Sequence, residues 1–216
     1  MNTPASKLEK YRQDGKYHVD AQRASILDAA ERLFLQKGLE NTQMIEIAAQ
    51  AGITKMSLYR YYPNRDVIAL EIHERAMTKI ASMLPPAVQE LSMETIKILV
   101  HRMIHNFFEL RDVYRLMGMF DQRYLDHTAD APLTHWAKTQ LASFKWKGYD
   151  PAEMVREKNL QYNRIIMIIN AVIWFLEKLA LRGEMTWSDQ SVPLEDQLKL
   201  YEEMITVYVD HCIENL

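Results

Sequence analysis

The sequence predicts an all-α protein, and three observations lead to this prediction. Only 6 glycines and 7 prolines occur in 216 residues, so long helices can run without interruption. No stretch alternates apolar and polar residues clearly enough to indicate a strand. Apolar residues instead recur three and four positions apart, which is the spacing of one helix face.

Composition limits the class of protein. A chain with 48% hydrophobic residues can bury a substantial core, and its length fits one large or two small domains. Cys212 is the one cysteine in the sequence, which excludes an intrachain disulfide. No apolar stretch follows the polar N-terminus, as a secretory signal would require, and the run from Ile165 to Leu176 is shorter than the ~20 residues of a membrane span. We therefore expect a cytoplasmic protein without membrane contact.

The elements begin with a polar segment and three short helices. Residues 1–17 have little to bury and are predicted to form a flexible arm. Within residues 18–66, Gly52 permits a tight turn, and Thr54 can cap the helix after it. Helices this short must pack together, so we predict a three-helix bundle that contains a helix-turn-helix. The apolar faces are Ile26, Ala29, Ala30, Leu33 and Phe34 on the first helix and Ile47, Ala48 and Ala51 on the second.

The third helix mixes basic, hydroxyl and aromatic side chains, although its inward face needs only Leu58 and Tyr62. Cations can donate to guanine or phosphate, a hydroxyl can bond base edges, and a thioether can contact a thymine methyl. We therefore predict a DNA-binding head; the alternative is an ordinary solvated helix. The predicted DNA contacts are Thr42, Thr54, Lys55, Met56, Ser57, Tyr59, Arg60, Tyr61 and Arg65, of which Thr42, Tyr59, Tyr61 and Arg65 suit phosphate oxygens.

The charge distribution favours DNA at the N-terminal end, but only weakly. Residues 1–80 carry a net charge of +2, whereas residues 81–216 carry −5. Two roles stay open for the basic N-terminal arm. It is either an uninvolved terminus or a segment that contacts phosphates or the minor groove.

The N-terminal quarter of the chain resembles a known family. Its spaced residues are similar to those of the N-terminal domain of the tetracycline-repressor-like (TetR) regulators. The resemblance implies a homodimer with a four-helix interface and a small-molecule pocket inside the body. The matching positions are Arg23, Ile26, Leu27, Ala29, Ala30, Phe34, Gly38, Thr42, Ile47, Ala48, Ala51, Gly52, Leu58, Tyr59, Tyr61, Tyr62, Asn64 and Arg65.

Residues 67–216 are predicted to form a helical body for effector binding and dimerisation. Asn64 can cap a connecting helix, which Pro85 and Pro86 would end after Leu84. The helix around Ile165 to Leu176 is apolar on more than one side, so it is expected to pair with the last helix across a homodimer. The alternative is an intrachain core. The predicted helices are Ser92 to Glu109, Arg111 to Asp126, Pro132 to Lys145, Pro151 to Arg182 and Pro193 to Glu214.

Methionine and aromatic side chains are frequent in the body and could line a cavity for an apolar or aromatic effector. Plain core packing would use the same residue types, and Asn170 could instead pair across the dimer interface. The residues predicted near the effector pocket are His105, Phe108, Tyr124, Tyr162, Asn170 and Trp174.

No catalytic or cofactor motif is recognisable in the sequence. His101 and His105 have a spacing that can chelate a metal, but Arg102 stands where a zinc protease has glutamate, so we predict no metal site. The leading hypothesis is a one-component transcriptional regulator, in particular a repressor, that binds a palindromic operator as a homodimer and is released by a small molecule. The competing hypothesis is a helical enzyme or carrier that binds a small molecule without specific DNA binding.

Overall fold

A computed structural model describes residues 4–83, 92–125, 160–182, 186–187 and 190–214 of the chain. The predicted all-α class is confirmed, since every described element is a helix apart from one short antiparallel ribbon. The chain divides into two compact units, residues 1–72 and residues 73–216. The division falls inside the fourth helix, whereas the sequence placed the boundary near its start.

The first unit contains helices α1 (Pro4–Lys37), α2 (Met44–Gln50) and α3 (Lys55–Tyr61) and the beginning of α4 (Arg65–Ala81). Helix α1 begins at Pro4, so most of the segment predicted as a flexible arm is helical backbone. Its sequence is polar but contains good helix formers such as Leu8, Glu9 and Lys10. A role of residues 1–17 in DNA binding stays a prediction.

The turn between α2 and α3 is fixed by backbone geometry. Gly52 has a φ of +68°, in the left-handed region that favours glycine. The amide of Ile53 donates to the carbonyl of Ala48, and the amide of Gly52 donates to that of Ala49. These two bonds form a Schellman motif, which satisfies the last carbonyls of α2. The sequence-based prediction of a tight turn at Gly52 is confirmed.

Two predicted caps are also present. The Thr54 hydroxyl accepts from the amide of Ser57 at 3.1 Å, so it caps α3. The Asn64 carboxamide accepts from the amide of Val67 at 3.0 Å at the start of α4. These contacts set where each helix begins and therefore which side chains of α3 face outward.

The core of the first unit holds α3 by its inward face. Leu58 and Tyr62 are fully buried, as the spacing predicted. Arg23 on α1 lies over the ring of Tyr62 at 5.0 Å from its centroid and pairs with Glu71 on α4. Helix α3 is thereby packed between its neighbours by apolar burial and a cation–π contact. The other buried apolar residues are Ile26, Leu27, Ala29, Ala30, Phe34, Leu39, Ile47, Ala48, Ile68, Ala69, Leu70 and Ile72.

The second unit contains the end of α4 and helices α5 (Met93–His105), α6 (Phe107–Tyr124), α7 (Leu160–Arg182) and α8 (Leu194–Glu214). A two-residue ribbon, Thr186–Trp187 paired with Gln190–Ser191, precedes α8. Helix α6 packs on α7, and α5 packs on both α7 and α8. The predicted helix Pro132 to Lys145, the start of the one predicted from Pro151, and the stop at Pro85 lie outside the described residues.

The break between α5 and α6 lies at Asn106, several residues before the predicted one. The Asn106 carboxamide donates to the carbonyl of Arg102 at 2.8 Å, so the side chain binds a carbonyl within the last turn of α5. Sequence periodicity did not reveal this break because neither glycine nor proline marks it. Ser92 and Thr95 cap the start of α5 reciprocally, close to the predicted boundary.

Helix α7 has two apolar faces, and only one of them is covered. Ile165, Val172 and Leu176 are fully buried in the core of the second unit, whereas Met167 is 72% exposed and Trp174 is 61% exposed. Tyr201 on α8 stacks on Phe175, with ring centroids 3.6 Å apart, so the two helices touch beside the exposed face. In the described part of the chain, no helix is long and apolar enough to cross a membrane.

Candidate nucleic-acid interface

Helix α3 presents a chemically mixed outer face. Lys55, Met56, Tyr59 and Arg60 are exposed, and Met56 reaches 81% exposure. The Lys55 ammonium lies 5.8 Å from the centroid of the Tyr59 ring, so the two side chains form one patch. Such an exposed methionine beside two cations has no packing role in this unit, but it suits contact with an apolar group on a binding partner.

Two predicted contacts, Ser57 and Tyr61, are half-buried on the flanks of this face. Thr54 is exposed, but its hydroxyl accepts from the Ser57 amide and donates to the Ser57 hydroxyl at 3.0 Å. Thr54 therefore acts first as the cap of α3. The structure brings six of the predicted residues, Thr54 to Ser57, Tyr59 and Arg60, onto or beside one outer surface.

A groove of about 410 Å³ runs beside this surface. It adds residues at the start of α2 that sequence reasoning missed, including Gln43, Met44 and the half-exposed Ile45. The exposed Ile45 was the available signal, because the inward face of α2 already had Ile47 and Ala48. The groove is lined by Thr42, Gln43, Met44, Ile45, Lys55, Tyr59, Asn64, Arg65 and Asp66.

Thr42 and Arg65, both predicted to contact phosphate, have internal roles instead. Thr42 is only 1% exposed, and its hydroxyl donates to the carbonyl of Gly38 at 2.9 Å. The Arg65 guanidinium donates to the carbonyls of Glu40 and Thr42 at 2.8 and 3.0 Å. Arg65 therefore ties the connection between α1 and α2 to the start of α4. Sequence alone could not show this because the bonded carbonyls lie more than twenty positions away.

Arg65→Ala is expected to destabilise the protein by about 1.5 to 3 kcal/mol, because two carbonyls lose a charged donor. The free energy of unfolding measured in urea would test this. Arg60→Ala, which removes an exposed cation, is the matched control and should change that free energy by less than about 0.5 kcal/mol. If Arg65→Ala is as stable as wild type and its DNA affinity depends less steeply on salt concentration, Arg65 contacts phosphate after all.

The comparisons with known proteins agree with this geometry. Residues 26–72, which contain α2, α3 and most of the buried core of the first unit, match the family model described as bacterial regulatory proteins, tetR family. An uncharacterized HTH-type transcriptional regulator of Mycobacterium tuberculosis is 40% identical over 70 residues, which are 29% of this chain and 35% of that protein. Residues 26–72 of the chain thus belong to the TetR family of bacterial regulatory proteins.

Other relatives define how far the similarity to TetR-family proteins extends. The regulator AcrR of Shigella flexneri is 34% identical over 68 residues, about a third of either chain. The chain thus matches about a third of the length of these curated relatives. A TetR transcriptional regulator from a Rhodococcus species has a similar structure, with a TM-score of 0.57 at 17% identity over 91% of this chain and 98% of that one. This similarity shows that the body shares the TetR fold.

The structure does not bring together the five predicted effector residues whose side chains it describes. His105, Phe108, Asn170 and Trp174 are exposed, so they do not line an enclosed cavity. Asn170 and Trp174 lie on the uncovered face of α7, and Phe108 lies on the outer side of α6. Tyr124 is fully buried against Phe120. The side chain of Tyr162 lies outside the described residues.

The described part of the body buries other polar residues, among them a histidine and a glutamate. His73 is 5% exposed and Glu177 is 1% exposed. Glu177 ends the longest apolar run of the sequence, so periodicity made it look like a solvated boundary. His101, weighed as a metal ligand, pairs with Glu202 on α8 and stacks on His105. Among the described residues, no group of three or more acidic, histidine or cysteine side chains is arranged to hold a metal ion.

Proposed function

We propose that this TetR-family protein is a one-component transcriptional repressor that binds a palindromic operator as a homodimer and releases it when a small molecule binds the body. The observation that supports this proposal best is the outer face of α3. Lys55, Met56 and Arg60 extend into solvent from a helix whose inner face is buried and whose start is capped. A rigid helix with exposed donors and an apolar tip is suited to the major groove.

Side-chain chemistry divides the proposed DNA contacts into two roles. Lys55 and Arg60 can donate to guanine edges, and Met56 can pack on a thymine methyl. Tyr59 and Tyr61 suit phosphate oxygens, which position the helix but do not specify sequence. Thr42 and Arg65 support this surface from inside, by the internal bonds described above.

The proposed homodimer is supported by two uncovered apolar faces. Helix α8 exposes Leu200, Met204, Val207 and Tyr208, which recur three and four positions apart. The uncovered face of α7 lies beside it, as the contact between Phe175 and Tyr201 shows. Two copies of this pair of helices would bury both faces in a four-helix interface.

Release by a small molecule is supported by the relatives and by the polar interior of the body. A protein of the same fold, Thermus thermophilus FadR, is a TetR-family repressor whose structure contains lauroyl-CoA. A ligand that prefers the conformation with lower DNA affinity would weaken operator binding by its differential affinity, typically ~1 to 3 kcal/mol. We place such a DNA-bound regulator in the cytoplasm. No enzymatic activity is part of the proposal.

Selection of bound fragments from genomic DNA tests the proposal. We expect enrichment of near-palindromes whose half-sites are about 34 to 36 Å apart, or a multiple of that distance. Two equivalent α3 helices in a two-fold dimer require this symmetry. Fragments enriched without any common sequence would instead favour the alternative, a helical enzyme or carrier without specific DNA binding.

A further inference from the structure

The second unit contains a small group of titratable side chains between α4, α6 and α7. Glu177 on α7 is 1% exposed and His73 on α4 is 5% exposed. The His73 Nε2 atom lies 3.4 Å from Oδ1 of Asp121 on α6. Polar groups this deeply buried normally have hydrogen-bond partners, so their surroundings indicate what they bind.

Three atoms of this group have no hydrogen-bond partner within the described part of the chain. They are Oε1 of Glu177, Oδ1 of Asp121 and Nδ1 of His73. The carboxylate of Asp121 favours the proton on Nε2 of His73, which leaves Nδ1 with a lone pair. When Glu177 is ionised, Oε1 of Glu177, Nδ1 of His73 and the remaining lone pair of Asp121 Oδ1 can all accept a hydrogen bond. A ligand with several N–H donors would satisfy them together.

The local electrostatics favour a positively charged ligand. Burial and the neighbouring Asp121 carboxylate together raise the pKa of Glu177 to about 9, while Lys178 opposes the shift. Burial also raises the pKa of Tyr114, and the charge of Glu177 contributes to that shift. Glu177 therefore holds a proton at pH 7 when no cation is present. A cation beside it would favour the ionised carboxylate.

The aromatic surroundings of the site favour a flat ligand. A Cβ added to Gly118 of α6 would lie 3.2 Å from Cβ of Glu177, so the helices approach closely and hold Glu177 in place. The ring of Phe120 packs against those of His73 and Tyr124, at centroid distances of 4.4 and 4.5 Å. Aromatic rings beside carboxylates are suited to planar cations. About a third of the Asp121 side chain is exposed, which gives the group an edge toward solvent.

We propose that His73, Asp121 and Glu177 form the polar end of a binding site for a flat organic cation of the amidinium or guanidinium class. This proposal rests on the effector-controlled function proposed above and adds the chemical class of the effector. The amidinium N–H groups donate to the three acceptors, and the partly exposed Asp121 gives the ligand access from solvent.

Calorimetric titration of the full chain with three isosteric probes tests the proposal. Benzamidine is a cation at neutral pH, benzamide is neutral, and benzoate is an anion. We expect benzamidine to bind about 10- to 100-fold more tightly than benzamide, because charged hydrogen bonds replace neutral ones, and benzoate to bind most weakly. Equal affinity for benzamidine and benzamide would overturn the proposal.

The pH dependence gives a second readout. Benzamidine stays protonated between pH 6 and 9, whereas Glu177 must lose its proton to pair with it. Binding therefore releases a proton, and affinity should rise with pH by up to about tenfold per unit until it levels off near pH 9. Affinity that is constant over this range would contradict the role of Glu177.

Glu177→Gln keeps the shape of the side chain and removes its charge. We expect it to lose both the preference for benzamidine and the pH dependence, while Glu109→Gln, an exposed residue of α6, keeps both. Because the pKa of Glu177 is raised in the folded state, the free energy of unfolding should fall as pH rises from the ordinary glutamate pKa of 4.5 toward 9. The glutamine variant should therefore be at least as stable as wild type at pH 8. Asp121→Asn, which removes the second carboxylate, should weaken benzamidine binding in part.

Operator affinity measured with and without benzamidine separates the two proposals. Selective, Glu177-dependent binding supports the site, and if DNA is then not released, the effector-controlled function fails instead. If a different compound releases the operator while benzamidine does not bind selectively, the cation site fails and the regulatory function stands.

Discussion

Replacing Lys55 and Arg60 together by alanine is expected to lower operator affinity by about 2 to 6 kcal/mol, if each removes a base contact and the losses add. Both side chains extend from the outer face of α3, and neither belongs to the buried face. The α-helix should remain intact, because alanine favours helix and the Thr54 cap is unchanged. The loss should therefore fall on DNA recognition and not on folding.

The measurement is the affinity for the selected operator and for a scrambled duplex at several salt concentrations. A base-reading role predicts that the operator loses more affinity than the scrambled duplex does. A purely phosphate-binding role predicts equal losses and a smaller salt slope. Lys79→Ala combined with Arg111→Ala removes the same charge from exposed positions in the body and serves as the control. Unchanged operator affinity of the Lys55 and Arg60 variant would sink the proposed reading surface.

Local sequence signals predicted the DNA-binding unit well. The turn at Gly52, the caps at Thr54 and Asn64, and the inward positions Leu58 and Tyr62 depend on neighbours within a few residues. Such features follow from backbone preferences and helical periodicity, which one sequence contains. The exposed positions of α3 follow from the same periodicity, and their contact with DNA stays a prediction.

The role of Arg65 could not be predicted from local sequence. Its charge and position suggested a phosphate contact, but its guanidinium binds the carbonyls of Glu40 and Thr42. Whether an arginine faces solvent or a buried loop depends on chain segments that meet only after folding. The same holds for Thr42, whose hydroxyl binds a carbonyl of the preceding turn.

In the body, periodicity predicted apolar faces but not which face would be covered. Trp174 and Asn170 are residue types that often line a pocket, yet both lie on the exposed side of α7. Glutamate is usually a solvent-exposed residue on a helix, yet Glu177 is buried where Gly118 lets α6 approach α7 closely. A buried carboxylate depends on a specific partner surface, and a single helix pattern does not contain that information.

The second large effect is expected at the proposed dimer interface. Met204→Glu combined with Val207→Glu places two carboxylates on the exposed apolar face of α8, where these residues are 58% and 70% exposed in one chain. A two-fold interface would bury each new charge twice and bring like charges together. An uncompensated buried charge costs about 3 to 5 kcal/mol, so the dissociation constant of the dimer should rise by at least about 100-fold.

Analytical ultracentrifugation at micromolar concentration would measure this shift from dimer to monomer. The matched control is Phe108→Glu, which also places a carboxylate at an exposed aromatic position, but on α6. The control should stay dimeric. One chain carries a single α3 helix, so the monomeric variant should bind an isolated half-site with the same affinity as one wild-type chain. It should lose most of its affinity for the palindrome, which needs two such helices. A wild-type protein that is monomeric with and without DNA would exclude the homodimer, whereas a dimer that persists in the variant would place its interface on another face.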